Sequence, residues 1–350
     1  VAKFGQYGPY VQKGEPEKRL FASLGKGQLV ENIINKCTNS PWKTYFLSPK
    51  TPADSQWIYS HELGRQYLEQ TFPDEVETYF LTDVTRDNVE EILEKIIADG
   101  ADIIFEVGPQ LAEASLEVAA LHPNVKILNC SLNTESKQIT TYYARMYEAK
   151  FISGMVAGAL TTNDKIAYVA DYPIYGMIAN INAFAIGASM VDPEAKIYLT
   201  WSCLKDEYWR EYIKENNLKI VSGPDLIRPT RADNAYGLYK VDENDNITNI
   251  AFPEWKWGKY YELIVQTILN DAWNIEADEA KNKAINYWWG MSSGVIDVNV
   301  LDTNIPYSTR KIIAAIRKII TADLCNPFDG ELWSQEGIIK EAGTPRLPNE

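Results

Sequence analysis

Histidine and cysteine are scarce in this chain of 350 residues, and their placement removes several kinds of chemistry. The two histidines, His61 and His122, lie in a helix-like segment and at a helix-to-strand turn, which suits structural or solvent-facing roles. The four cysteines stand far apart with no CxxC pair, so a zinc site and a dithiol redox site are not expected. Cys130 falls in an apolar strand-like stretch and reads as core packing. Nucleophile elbows, HExxH, phosphate-binding Gly loops and GxGxxG are all missing. No metal, cofactor or catalytic residue is therefore expected. The abundant carboxylates read as solvating charge on helix faces. No apolar run approaches the roughly 18 residues of a membrane helix. The net charge of −14 disfavours nucleic acid as a partner, because phosphate binding relies on surplus Lys and Arg. Residues 1–43 depart from that balance, with seven Lys/Arg against three Glu. Their beginning, Val1-Ala2-Lys3, shows no basic stretch followed by an apolar core, so a signal peptide is either absent or removed.

What is present is an alternation of short apolar or aromatic runs with longer amphipathic stretches, the pattern of βα units around parallel sheets. The chain exceeds what one core usually serves, which points to two lobes. Strands are expected at 44–48, 76–81, 102–107, 126–130, 165–170, 196–201, 218–221, 236–241 and 247–252. Helices are expected at 60–70, 88–98, 111–121, 177–190, 259–270 and 309–320. In 88–98, Val89, Ile92, Leu93, Ile96 and Ile97 recur at helical spacing opposite Glu90, Glu91, Glu94 and Lys95. Open α/β sheets bind ligands beyond the carboxyl ends of their strands, so the candidate loops are 49–57, 108–110, 171–174, 201–202, 225–228 and 253–256, with Tyr239 beside them.

The segment from Arg145 to Gly158, RMYEAKFISGMVAG, resembles a hallmark helix of the basic membrane protein family, the purine-nucleoside-receptor-like substrate-binding proteins of ABC transporters. KIAYVAD at 165–171, YPIYG at 172–176 and the segments 180–188 and 192–201 continue the likeness in order. So do 54–65 and 100–105 upstream. The resemblance spans roughly residues 43 to 329 and implies a type I periplasmic-binding-protein fold. That is an α/β architecture of two Rossmann-like lobes with parallel sheets, joined by a multi-strand hinge. It implies lobes at 43–132 with about 258–300 and at 133–257 with about 301–335, after an N-terminal basic arm or β-hairpin at 1–42. The function it implies is capture of a small molecule, a purine nucleoside or related heterocycle, for an ABC transporter permease. The location it implies is extracytoplasmic and membrane-associated, as for a lipoprotein.

By the same resemblance, Asp54 matches an acidic residue of the first loop, Trp57 is a stacking ring or a lobe-surface aromatic, and Lys256 matches a lysine near the ligand or is solvated. Gly108, Tyr172 and Trp201 complete the cleft loops. Two positions depart from the nucleoside-binding pattern. Arg228 stands where an aromatic is usual and admits a carboxylate or phosphate, and Tyr239 replaces an Asp that serves ribose. Gly154, Ala157 and Gly158 suit close helix packing. Gly290 and Gly294 fall where the chain crosses back between lobes and suit hinge geometry or simple packing.

Residues 4–28 resemble instead the short Gly/aromatic repeat at the end of bacterial type I topoisomerases. They read as a hairpin with turns at Gly8-Pro9 and Gly14-Glu15 and an exposed Tyr7/Tyr10 pair. A cytoplasmic ligand sensor acting through this arm is the alternative reading.

Overall fold

The computed structural model describes residues 40–131, 138–171, 173, 175–204, 208–226, 234–270, 272–273, 287–301, 305–334 and 336–344, with the backbone of three short strands before residue 24. Those strands, β1 (Ala2–Gly5), β2 (Gly8–Lys13) and β3 (Leu20–Ser23), form an antiparallel sheet. Gly8 and Pro9 lie inside β2, paired with Gly5 and Phe4, and not in the turn expected there. Tyr7 and the Gly14-Glu15 turn lie outside the described residues.

The first lobe is built on the sheet β14-β8-β7-β6-β4-β5, parallel throughout. Its strands are β4 (Trp42–Leu47), β5 (Val76–Leu81), β6 (Ile103–Glu106), β7 (Lys126–Cys130), β8 (Thr140–Ala144) and β14 (Tyr287–Trp289). The central runs are apolar without alternation because helices cover both faces. Phe46, Phe105, Leu128 and Tyr142 pack against α1 (Gln56–Thr71) and α7 (Trp257–Leu269). Tyr45, Leu47, Ile104 and Ile127 face α2 (Val89–Ala98) and α3 (Ala112–Leu121). Cys130 is buried, as its surroundings suggest.

The second sheet runs β10-β9-β11-β12-β13-β15. It comprises β9 (Lys165–Ala170), β10 (Lys196–Trp201), β11 (Ile220–Ser222), β12 (Leu238–Val241), β13 (Ile247–Trp255) and β15 (Ile296–Val300). The first three strands are parallel, and β12, β13 and β15 extend the sheet antiparallel. One face is covered by α4 (Tyr147–Leu160), α5 (Tyr175–Val191) and α8 (Tyr307–Thr321), and the other by α6 (Tyr208–Glu215). Helices α4 and α5 touch backbone to backbone: a Cβ on Gly154 would lie 2.0 Å from the Phe184 carbonyl oxygen, and one on Gly187 equally close to that of Phe151. The small residues singled out in the sequence serve this packing. A last hairpin joins β16 (Leu332–Ser334) to β17 (Gly337–Lys340).

The chain passes between the sheets at Arg145-Met146, at Lys256 and at 290–295. Strand β8 thus belongs to the first sheet and β15 to the second, the reverse of the placement implied by boundaries at 133 and 300. The crossings are bonded laterally: Arg145 N donates to Trp289 O at 2.7 Å and Lys256 N to Val295 O at 2.9 Å. The Arg145 guanidinium meets the buried Glu148 carboxylate at 2.8 Å, and Met291 N donates to that carboxylate at 2.7 Å. A Cβ on Gly290 would stand 2.4 Å from Glu148 Oε2, so a side chain there would press on the Arg145–Glu148 pair.

Candidate functional site

In the first sheet the strand order reverses at β4, which has β5 on one side and β6 on the other. In the second it reverses at β9, between β10 and β11. Such switch points open a crevice at the carboxyl ends of the strands, because the loops on either side diverge to opposite faces.

At the first switch point, the loop after β4 leads into α1, whose Ser55 side chain accepts from Ile58 N at 3.4 Å as an N-cap. Asp54 immediately precedes that cap, is exposed, and accepts a hydrogen bond from Thr51 Oγ1. Trp57, in the first turn, donates from Nε1 to the Val107 carbonyl at 3.0 Å and so ties α1 to the end of β6. Its ring lies near-parallel to Tyr143 at 6.3 Å and edge-on to Trp255 at 5.4 Å and Trp257 at 5.3 Å. Trp57, Tyr143 and Trp255 are half-buried, while Trp257 is buried. Gly108 follows β6; its carbonyl accepts from Asn129 Nδ2 at 3.1 Å.

Beneath this wall, His61 stacks on Trp257 with ring centres 4.1 Å apart and bonds the Tyr261 hydroxyl through Nδ1 at 2.5 Å. Burial holds its pKa well below the ordinary value, so it stays neutral. Its role is structural, as read from the sequence. His122 lies at the surface with Nε2 3.2 Å from Glu94. Glu106 closes β6 and is fully buried, with Ser115 and Asn129 donating to its two oxygens. Burial raises its pKa to about 7, opposed by those two hydrogen bonds.

At the second switch point, Asp171 follows β9 and accepts a hydrogen bond from Ser202 at the end of β10. Asp225 follows β11 and pairs with Lys150, from the first turn of α4. Burial pushes the Asp225 carboxyl up, and the Lys150 ammonium pulls it down.

The structure therefore brings Asp54, Trp57, Gly108 and Lys256 to one region, the last through the Trp255–Trp257 stack at 5.2 Å that flanks it. Lys256 directs its ammonium to Asp297 at 2.9 Å. Trp201 ends β10 in the other lobe, half-buried against the core. Tyr239 is 2% exposed and packs with Trp209, Ile213 and Val221 beneath α6, away from the others. It occupies an antiparallel strand, so the rule that marks the ends of parallel strands does not reach it. Tyr172 and Arg228 lie outside the described residues. Tyr143, Lys150, Ser222 and Asp297 were not legible as site residues. Lys150 alone carries a signal, being a cation among the small and apolar residues of its helix.

A description of ABC transporter substrate-binding proteins of the PnrA-like type matches residues 43–207. The chain is 25% identical over 315 residues to a purine-binding protein of Brucella abortus, covering 84% of this chain and 85% of that one. The stretch that resembles PnrA-like substrate-binding proteins is thus the first βα half of the two-lobed chain. The chain is also 23% identical over 295 residues to a putative ABC transporter glucose-binding protein of Haloferax volcanii, covering 81% and 73% of the two chains. A solute-binding protein of an ABC transporter system from Conexibacter woesei shares the fold, with a TM-score of 0.59 and 13% identity over 81% of this chain and 98% of that one. Proteins of the PnrA-like type are substrate-binding components of ABC transporters. No helix among the described residues is long and apolar enough to cross a membrane.

Proposed function

We propose that this protein captures a purine nucleoside or a related heterocycle between its lobes, releases it unchanged, and hands it to an ABC permease. The observation that carries the ligand class is the half-buried wall of Trp57, Tyr143 and Trp255 at the first switch point. Flat rings with accessible faces bind a planar heterocycle by stacking, and they do so through area that needs no matching charge. The Trp57 Nε1 bond to Val107 fixes the ring before the ligand arrives, which lowers the ordering cost of binding. The name of the Brucella relative supports the same class, and that of the Haloferax relative makes a sugar the competitor.

Titration calorimetry of the purified chain with adenosine, guanosine, inosine and D-glucose tests this reading. Binding of at least one purine nucleoside, with the compound recovered intact by chromatography, is expected. Binding of glucose with no heat from any purine compound overturns the ligand class, and conversion of the bound compound overturns the capture role.

A further inference from the structure

Asp171 and Asp225 stand on either side of the second switch point, where β9 and β11 deliver them to the same crevice edge. Lys150 reaches up from the first turn of α4 to bond Asp225 and, at 3.3 Å, Ser222 Oγ. It is 2% exposed, and its ammonium also lies 5.1 Å over the Tyr168 ring. A lysine this deeply buried is tolerated because a carboxylate compensates it. The pair therefore fixes Asp225 in place and cancels one of the two negative charges. Asp171 keeps the other, with Ser202 donating to a single oxygen.

The Tyr168 hydroxyl adds an independent sign. It is 1% exposed, has no hydrogen-bond partner among the described residues, and feels the charges of both Asp225 and Asp171. A buried hydroxyl without a partner is costly, and one set beside two carboxylates is suited to a bound polar group or water. Among the described residues, this edge of the crevice sets two carboxylates and one ammonium beside two serine hydroxyls and a phenol, and so carries one surplus negative charge.

We propose that Asp171 and Asp225 are specificity-determining acceptors of the second lobe, with Lys150 as their positioning residue. They select a ligand whose distal end presents adjacent hydroxyl or amino donors and reject one that is anionic there. This rests on the reading that a purine compound occupies the cleft, with its ring on the aromatic wall of the first lobe. It opposes the anionic ligand that Arg228 suggests from sequence. Coulomb repulsion in a partly desolvated crevice excludes a phosphate, while a neutral donor gains a charge-assisted hydrogen bond.

The test is calorimetry of the full chain with adenosine, adenine, adenosine 5′-monophosphate and D-glucose, for the wild type, Asp171→Asn and the paired variant Lys150→Met/Asp225→Asn. The wild type is expected to prefer adenosine to the monophosphate by about a hundredfold and to adenine by about tenfold, the scale of one or two hydrogen bonds to charged groups. Asp171→Asn is expected to weaken adenosine about tenfold and to leave adenine unchanged, with an unaltered Tm. The paired variant removes the buried charge from both sides, so it remains foldable. Its expected mark is a lower ratio of adenosine to adenine affinity, which a purely structural role does not move. Monophosphate binding as tight as adenosine, or adenosine affinity within twofold of wild type in Asp171→Asn, overturns the inference. If glucose binds in place of every purine compound, the ligand class fails and the acceptors are still on trial. Glucose affinity must then fall about tenfold in Asp171→Asn, and an unchanged value overturns them.

Discussion

The Lys256 ammonium lies 2.9 Å from Asp297 Oδ2, joining the start of α7 to β15 where two of the three inter-sheet crossings run side by side. Arg317, from α8, binds the other oxygen of the same carboxylate. Lys256 is therefore part of the hinge before it is part of any ligand site. It remains 40% exposed, so water screens the pair. A double-mutant cycle of Lys256→Met and Asp297→Asn, read by urea unfolding, is expected to give a coupling below about 1 kcal/mol. A larger coupling makes this pair a structural lock on the hinge.

Trp57 is the ring on which the ligand class depends. Trp57→Ala is expected to weaken adenosine binding by roughly ten- to a hundredfold, the scale of losing one base–aromatic stack. Trp57→Phe keeps a ring, loses the bond to the Val107 carbonyl, and is expected to fall between the two in calorimetry. Equal affinities for Ala and Phe at this position count against stacking.

The contact of α4 with α5 makes a prediction independent of ligand. Gly154→Ala places a methyl group where the Phe184 carbonyl oxygen already sits, so the helices must move apart. Overpacking of this kind costs about 1–3 kcal/mol, which urea unfolding resolves. Gly187→Ala meets the Phe151 carbonyl from the opposite helix and is expected to behave alike.

Glu106 supplies a pH dependence. Its pKa rises from 4.5 to about 7 on folding, so the native state holds a proton that the unfolded chain has released. The contribution is complete below pH 4.5 and is lost as pH climbs through 7, amounting to about 3 kcal/mol. His61 acts in the opposite sense. Its folded pKa is depressed, so stability falls as pH drops below 6.5 and the unfolded imidazole takes up a proton. Glu106→Gln isolates the first effect, since the His61 contribution cancels between the two proteins. In the variant the one Ser115 hydroxyl proton can turn to the Leu111 carbonyl, 2.9 Å away, leaving its oxygen to accept from the new amide. The variant is expected to be the more stable protein at pH 8, with the advantage shrinking toward pH 5. A stability difference that stays flat with pH removes Glu106 as a titrating group.

Much of the fold is legible in the sequence, for a physical reason visible in individual elements. Strands buried on both faces, such as Ile103–Glu106 and Lys126–Cys130, carry apolar runs without alternation, and α2 must show its buried Val89, Leu93 and Ile96 at helical spacing. Strands β8 and β14 escaped because Thr140–Ala144 and Tyr287–Trp289 carry no β-branched aliphatic run. Helix α6 escaped because its eight residues bury only Trp209 and Ile213. The candidate loops that carry Asp54, Trp57, Asp171 and Asp225 were found by the rule for strand ends, which needs only the order of elements.

Sequence alone thus determined the succession of βα units, the apolar faces of the helices and the loops where a ligand can meet the chain, because each is local and periodic. Only the tertiary structure decided that β12, β13 and β15 run antiparallel, that Tyr239 turns into the core under α6, and that Lys150 meets Asp225 from 75 residues away. Those outcomes depend on which strands become neighbours and on which carboxylate a buried cation must find. Neither choice leaves a periodic trace along the chain.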